Sequence, residues 1–136
     1  MEPDLILYSM LLLYQYFFSA IKKFNTFEQT VKSFKSKFFI KDLNEYIYKL
    51  IIIFVILLQF CVPVYTIYTI YTKTYNYLSF YLIIALVFFT MLATLLYHYP
   101  PIGNKVYAFN GNICAIGGLL LLSYIIYNKI PIDQTN

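Results

Sequence analysis

The sequence predicts an all-α membrane protein: a bundle of four transmembrane helices, with an amphipathic interfacial helix between the first and the second. Hydrophobic residues make up 61% of the 136 residues and charged residues only 12%, whereas an average soluble domain carries about 25% charged residues. Four apolar stretches are each close to the roughly 20 residues that cross the hydrocarbon core of a bilayer. The length suits one domain, so we expect residues 1–136 to form a single bundle.

The four predicted spans contain no charged side chains. In lipid the backbone groups of such stretches must pair within the segment, which requires helices. The fourth stretch is continuously apolar only from Ile113 to Tyr127, but a start near Val106 gives it a full spanning length. The link between the second and third spans is so short that these two helices must run antiparallel. The predicted spans cover about residues 5–21, 50–71, 77–97 and 106–127.

The connection between the first two spans contains a fifth predicted helix, at about residues 26–39. Its start is indicated by Thr26 and Gln29, which have the spacing of a capping box. Four apolar residues then recur at helical spacing, and three lysines lie off that stripe. Such a basic amphipathic helix lies on the membrane surface or packs on the end of the bundle, and both can hold together. The stripe consists of Phe27, Val31, Phe34 and Phe38, and the lysines are Lys32, Lys35 and Lys37.

The lysines predict how the bundle is oriented in the membrane. Because the spans alternate in direction, the N-terminus, the short second link and the C-terminal tail share one side, which carries only Lys73 and Lys129. Cytoplasmic loops carry the excess of basic residues, so we expect both termini on the non-cytoplasmic side. The acidic residues near the N-terminus agree with this and argue against a cleavable signal peptide. The opposite side carries Lys22, Lys23, Lys32, Lys35, Lys37, Lys41, Lys49 and Lys105.

Polar residues within and beside the spans predict a ligand-binding pocket in the bundle interior. Polar groups are costly in lipid and usually face other helices. We expect the pocket in the lysine-rich half of the bundle. The alternative for His98 is a role as an interfacial or capping group. The alternative for Gln59 is a hydrogen bond to a neighbouring helix and no contact with a ligand. The residues of this predicted pocket are His98, Gln59, Ser19, Asn112 and Lys22.

Two further helix faces are expected to contact neighbouring helices. In the fourth span a stripe of small residues is suited to close helix packing rather than to ligand contact. In the first span a polar face includes two of the predicted pocket residues. The small-residue stripe consists of Gly111, Ala115 and Gly118, and the polar face consists of Tyr8, Leu12, Gln15, Ser19 and Lys22.

The sequence contains no set of residues that indicates catalysis. No nucleophile–base pair or glycine-rich phosphate loop is present, and a single histidine with no carboxylate in any span predicts no metal site. All ten basic residues are lysines, which argues against nucleic-acid binding because arginine is preferred there. Cys61 and Cys114 lie in apolar runs and are expected to act as small hydrophobic residues. We therefore expect no catalytic residues, no metal, no nucleic acid and, apart from a quinone considered below, no cofactor.

Several features follow one another in an order that is typical of one family. A small and a basic residue end the first span within Phe17–Phe24, and the amphipathic stretch Thr26–Phe39 follows. A histidine and a proline-rich turn end the third span within Leu95–Pro101, and Asn112–Leu120 begins with an asparagine and contains a glycine pair. Over about residues 11–122, this order resembles the DoxX family of small four-helix membrane proteins.

The resemblance implies two kinds of function. Some DoxX-type proteins resemble subunits of quinone-linked oxidoreductases, and related four-helix proteins resemble cargo receptors or assembly chaperones. Members commonly carry a glutamate in the second helix, where this chain has the neutral Gln59. The proton- or redox-linked chemistry of the family is therefore less readily expected of this chain. We therefore expect a non-catalytic accessory or structural subunit that contacts lipid and other membrane or membrane-associated proteins. The alternative is a quinone-linked redox subunit with a headgroup site in the bundle interior. Solute transport is the least favoured of the three functions. The sequence lacks the pair of short or interrupted spans that is typical of transporters with inverted repeats.

Overall fold

The computed structural model describes residues 2–132 and contains five helices in that range. They are α1 Glu2–Asn25, α2 Phe27–Lys37, α3 Glu45–Thr72, α4 Tyr77–Tyr97 and α5 Lys105–Lys129. All except α2 are long and apolar enough to cross a membrane, and residues 2–132 contain no strand. The predicted all-α fold with four spans is therefore confirmed, and a short helix does lie between the first and second spans.

The four long helices form a closed ring in the order α1, α3, α4, α5. Helix α1 packs mainly on α3, and α4 packs mainly on α5, while the α3–α4 and α1–α5 contacts join the two pairs. Neighbours in the ring run antiparallel because successive spans alternate in direction. The α1–α5 contact is the smallest of the four, so this seam is the loosest part of the ring.

The ring encloses an apolar core and also presents an apolar outer surface. Leu13, Val62, Ile83 and Leu119 come one from each long helix, and each is at most 2% exposed. An outer surface with this many large apolar side chains suits acyl chains rather than water. Exposed examples from the same four helices are Leu11, Phe54, Leu92 and Leu121.

Two helix ends differ from the sequence-based expectation for identifiable reasons. The capping box predicted at Thr26 is wrong: its hydroxyl donates to the carbonyl oxygen of Lys22 at 2.8 Å, and no side chain caps the first amides of α2. Thr26 does this because α1 continues to Asn25, beyond the predicted end at residue 21. Helix α3 begins at Glu45 rather than near residue 50, because the Asn44 side chain accepts a hydrogen bond from the Tyr46 amide at 3.2 Å.

Helix α2 packs across the first turns of α3. Val31 and Phe34 of α2 are buried in a small cluster with Tyr48 and Ile52 of α3. These two residues belong to the predicted apolar stripe, and the lysines of α2 remain exposed. The stripe therefore contacts the end of the bundle, as one of the two alternatives for this helix requires.

Candidate functional site

Neutral polar side chains from all four long helices are buried inside the ring. They are serine, threonine and glutamine residues, and none of them is ionisable. Buried polar groups normally have hydrogen-bond partners, and a missing partner needs an explanation such as a water molecule or a ligand. These residues therefore form the candidate site in the interior. They are Ser9, Gln59, Thr66, Thr69, Ser79, Thr90, Thr94 and Ser123.

One buried hydrogen bond crosses the ring between α1 and α4. The hydroxyl oxygen of Tyr16 lies 2.7 Å from Thr90 Oγ1. The Thr90 hydroxyl donates its own proton to the carbonyl oxygen of Leu86 at 2.8 Å, so Tyr16 must be the donor to Thr90. Helices α1 and α4 are not neighbours in the ring. This bond therefore joins opposite helices through the centre of the bundle.

Gln59 lies near the height of this bond. The rings of Phe17 and Phe60 stack with centroids 5.0 Å apart, which places Tyr16 of α1 and Gln59 of α3 within about one helical turn of each other in height. Gln59 is buried, and its Oε1 has no hydrogen-bond partner within the described part of the chain. An unsatisfied buried acceptor costs about 1–3 kcal/mol. Oε1 is therefore free to accept a hydrogen bond from a water molecule or from a ligand hydroxyl.

Two more unpartnered oxygens lie on the side of the chain termini. Ser9 Oγ in α1 and Thr66 Oγ1 in α3 are buried, and neither has a hydrogen-bond partner among residues 2–132. Because α1 and α3 are antiparallel with Phe17 beside Phe60, Ser9 and Thr66 lie within about one helical turn of each other in height. Such neutral groups can hold a water molecule or an uncharged polar group. They supply no acid or base for catalysis.

The residues of the predicted pocket differ in burial. Gln59 is buried, and Asn112 is half-buried. Ser19 is half-buried and accepts a hydrogen bond from the ammonium group of Lys23, while Lys22 is exposed. Between residues 2 and 132, no hydrogen bond joins two members of the predicted set. Their convergence on one ligand stays a prediction.

His98, the remaining member of that set, is half-buried at the end of α4 among lysines. Its backbone amide donates to the carbonyl oxygen of Thr94 at 2.9 Å and ends the helix. Burial, and secondarily the charges of Lys37 and Lys105, lower the pKa of its imidazole. The side chain is therefore neutral at pH 7. His98 lies eight residues beyond Thr90, which is about 12 Å further along the axis of α4.

The polar face predicted for α1 points outward for most of its length. Tyr8, Gln15 and Lys22 are exposed, and the helix instead buries the face one residue further along. Both faces have the same helical spacing, so the sequence pattern could not choose between them. The contact with α3 made the choice, because it places Leu13 and Tyr16 in the core. The buried face consists of Ser9, Leu13, Tyr16 and Ala20.

A groove of about 280 Å³ runs along the seam between α1 and α5. Gln15 lies on its α1 edge, near the middle of the span, and makes no hydrogen bond within the described residues. Gly111 and Ala115 line the α5 edge. Further along, a Cβ atom on Gly118 would lie 2.8 Å from Leu12 Cδ1, so the absence of a side chain there permits this contact. Ala115 and Gly118 thus lie against α1, and Gly111 borders the open groove.

The part of the chain that the structure describes holds no group of three or more histidine, cysteine, aspartate or glutamate residues placed to bind a metal ion. A comparison of the chain with protein-family models, with curated proteins and with solved structures finds no match. The function must therefore be inferred from the sites themselves.

Proposed function

We propose that the chain is a non-catalytic accessory or structural subunit of a larger membrane assembly. The position of Gln15 is the observation that supports this most. It is a polar side chain near the middle of a span, on the outer surface of the ring and beside a groove. The interior polar residues are neutral and supply no acid or base. An outward-facing hydrogen-bonding group without a partner in the described chain favours contact with another protein in the bilayer.

The seam between α1 and α5 is suited to a transmembrane helix of a partner protein. A residue without a side chain, such as Gly111, which is exposed beside the groove, allows two helix backbones to approach closely. The Gln15 carboxamide can then both donate to and accept from a polar group of the partner. Side-chain hydrogen bonds of this kind contribute about 0.6 kcal/mol on average in a bilayer. Leu11 and Tyr14 flank the groove and add apolar contact area.

Site-specific photocrosslinking in the native membrane tests this proposal. A photoreactive amino acid replaces Leu11, which lines the groove, and in a control variant it replaces Leu92, which is exposed on α4. The Leu11 variant should crosslink to a different protein, and the Leu92 variant should not. Adding Gln15→Leu should lower the yield from position 11 by about threefold, because it removes the hydrogen bond and keeps the size of the side chain.

Two outcomes would contradict the proposal. Equal crosslinking from positions 11 and 92 would show that the seam has no specific partner. Crosslinks only to other copies of this chain would show a homo-oligomer rather than an accessory subunit.

A quinone-linked redox subunit of the DoxX type is the second candidate, and it is favoured by the unpartnered Oε1 of Gln59. This oxygen is buried within about one helical turn of Tyr16 in height and can accept a hydrogen bond from a hydroquinone hydroxyl. Solvent extraction of the purified protein separates the two candidates. Bound quinone that is lost in both Gln59→Leu and His98→Ala would favour the redox subunit. A preparation without quinone, from cells that make it, would leave the accessory role.

The proposal includes an orientation in the membrane. The end of the ring with α2 and the loop before α5 carries most of the lysines, and the link between α3 and α4 lies at the other end. The excess of basic residues on cytoplasmic loops supports a cytoplasmic position for the lysine-rich end. Both termini would then lie on the non-cytoplasmic side.

A further inference from the structure

A groove of about 530 Å³ lies between α2 and the first turns of α3. We infer that this groove binds the phosphate headgroup of an anionic phospholipid. The inference rests on charges and on position in the bilayer, and it is independent of the proposed accessory role. The charged and aromatic side chains that line the groove are Lys32, Lys35, Lys49, Glu28, Glu45 and Tyr48.

Two of the three lysines in the groove have no counter-ion among the residues that the structure describes. Lys35 Nζ lies 3.6 Å from Glu45 Oε1 and 5.8 Å from the centre of the Tyr48 ring, so its charge is already balanced. Lys32 and Lys49 form no ion pair and no side-chain hydrogen bond with any residue in the range 2–132. Their two ammonium groups line one groove, which makes them a binding site for an anion.

Lys49 is the more important of the two lysines that form no ion pair within the described residues. It is half-buried and lies just after the first turn of α3, at the end of a span. A half-buried lysine packs its apolar stem against the protein, and an anion near its ammonium group adds a charge-assisted hydrogen bond. Lipid phosphates lie at the depth where a span ends, and long lysine side chains extend toward them.

The surface beyond Lys49 indicates a lipid rather than a soluble phosphate. Ile53 and Leu57 follow Lys49 at intervals of four residues, so they continue the same face of α3 toward the middle of the bilayer. Both are exposed. A phosphate at Lys49 would therefore leave an acyl chain lying along an exposed apolar track. A soluble anion gains nothing from this track.

Glu28 also lines the groove and affects which headgroup charge the groove binds best. The lining contains three lysines and two glutamates, and one of each is paired. Glu28 lowers the positive potential, so replacing it with a neutral residue should tighten binding of an anionic lipid. A zwitterionic ethanolamine headgroup would behave in the opposite way, because its ammonium group would lose the Glu28 carboxylate.

Native mass spectrometry of the full chain in a neutral detergent tests the inference. Dioleoyl phosphatidylglycerol is titrated against dioleoyl phosphatidylcholine, and apparent Kd values are obtained from the bound fractions. Each lysine near an anionic headgroup is worth about fivefold in affinity. Lys32→Gln with Lys49→Gln should therefore weaken phosphatidylglycerol binding by about twentyfold or more. Glu28→Gln should strengthen it, and added salt should weaken it.

The control variant combines Lys41→Gln with Lys105→Gln, which removes the same charge from the same end of the bundle outside the groove. It should bind phosphatidylglycerol nearly as tightly as the parent chain. Lys32→Arg with Lys49→Arg keeps both charges, should retain binding, and covers the case in which the glutamine variant does not fold. Equal loss in the control variant would overturn the inference. So would equal affinity for phosphatidylcholine, tighter binding of an ethanolamine lipid, or displacement of the lipid by inorganic phosphate at matched concentration.

Discussion

Individual polar side chains in the core of this bundle differ in how completely they are hydrogen-bonded. Thr90 accepts from Tyr16 and donates within its own helix, whereas the side-chain oxygens of Ser9, Gln59 and Thr66 have no partner in the described chain. Hydrogen bonds between helices in a bilayer are weak individually, because the unfolded chain in lipid also finds partners. Apolar packing therefore supplies most of the stability, and the polar residues set which helices meet.

Tyr16→Phe should lower the free energy of unfolding by about 0.5–1.5 kcal/mol. The change keeps the aromatic ring in the core and removes only the hydroxyl that donates to Thr90. Circular dichroism during titration with a denaturing detergent in mixed micelles measures the effect. Tyr14→Phe is the matched control, because that tyrosine is on the same helix but exposed, and it should change the free energy little.

A double-mutant cycle with Thr90→Val isolates the interaction between the two side chains. The bond from Thr90 to the Leu86 carbonyl is lost in both arms of the cycle and cancels. The coupling energy should be about 0.5–1 kcal/mol. Fully additive effects of the two substitutions would show that the bond across the ring makes no contribution.

Helix α2 depends on α3 for its position. It has 11 residues, and isolated helices shorter than about 12–15 residues are marginal in water. The ring of Phe34 lies 6.1 Å from the ring of Tyr48, and the Tyr48 hydroxyl donates to the carbonyl oxygen of Ile40 at 2.8 Å. One tyrosine of α3 therefore contacts both α2 and the link that follows it.

Phe34→Ala should detach α2 and leave the ring of four long helices folded. Truncating a buried phenylalanine to alanine costs about 3–5 kcal/mol, which is more than so short a helix can lose. Hydrogen–deuterium exchange should show faster exchange of the amides in residues 27–37 and unchanged exchange in α4 and α5.

Phe39→Ala is the control, since Phe39 is 77% exposed and Phe34 only 7%. It should leave exchange in α2 unchanged. If Phe34→Ala also leaves that exchange unchanged, contact with the membrane rather than with α3 holds α2 in place.

The molecule as a whole separates its charge along the axis of the ring. Eight lysines lie at the end with α2, and the other two, Lys73 and Lys129, lie at the opposite end. Within the ring the buried side chains carry no charge in the described residues. The orientation in the membrane is therefore decided at the two ends of the bundle.

Single-cysteine labelling tests the orientation. In a background of Cys61→Ala and Cys114→Ala, Ser36→Cys reports on the lysine-rich end and Thr74→Cys on the other, since both positions are exposed. A membrane-impermeant maleimide added to intact cells should label Thr74→Cys alone, and both variants after permeabilisation. The reverse pattern would invert the orientation. Labelling of both positions in intact cells would contradict an odd number of crossings between them.

The helices and their membrane character were predictable from the sequence because they depend on local properties. The length of an apolar run and the spacing of Phe27, Val31 and Phe34 require no knowledge of neighbours. Helix ends were less predictable, as Thr26 shows, because a hydroxyl that can cap one helix can equally bond to the end of the previous one. Burial of Gln59 agrees with the interior position expected for a polar residue in a span.

Which face of α1 points inward was decided only in three dimensions. Gln15 and Tyr16 are adjacent in sequence, yet Gln15 borders the outer groove and Tyr16 bonds to Thr90, 74 residues away. Lipid and the protein interior accept apolar side chains equally well, so the hydrophobic pattern of α1 did not identify the face that packs inward. Close packing of α1 against α3 selects one rotation. That selection also leaves Ser9 Oγ in the interior and places Gln15 beside the groove at the α1–α5 seam.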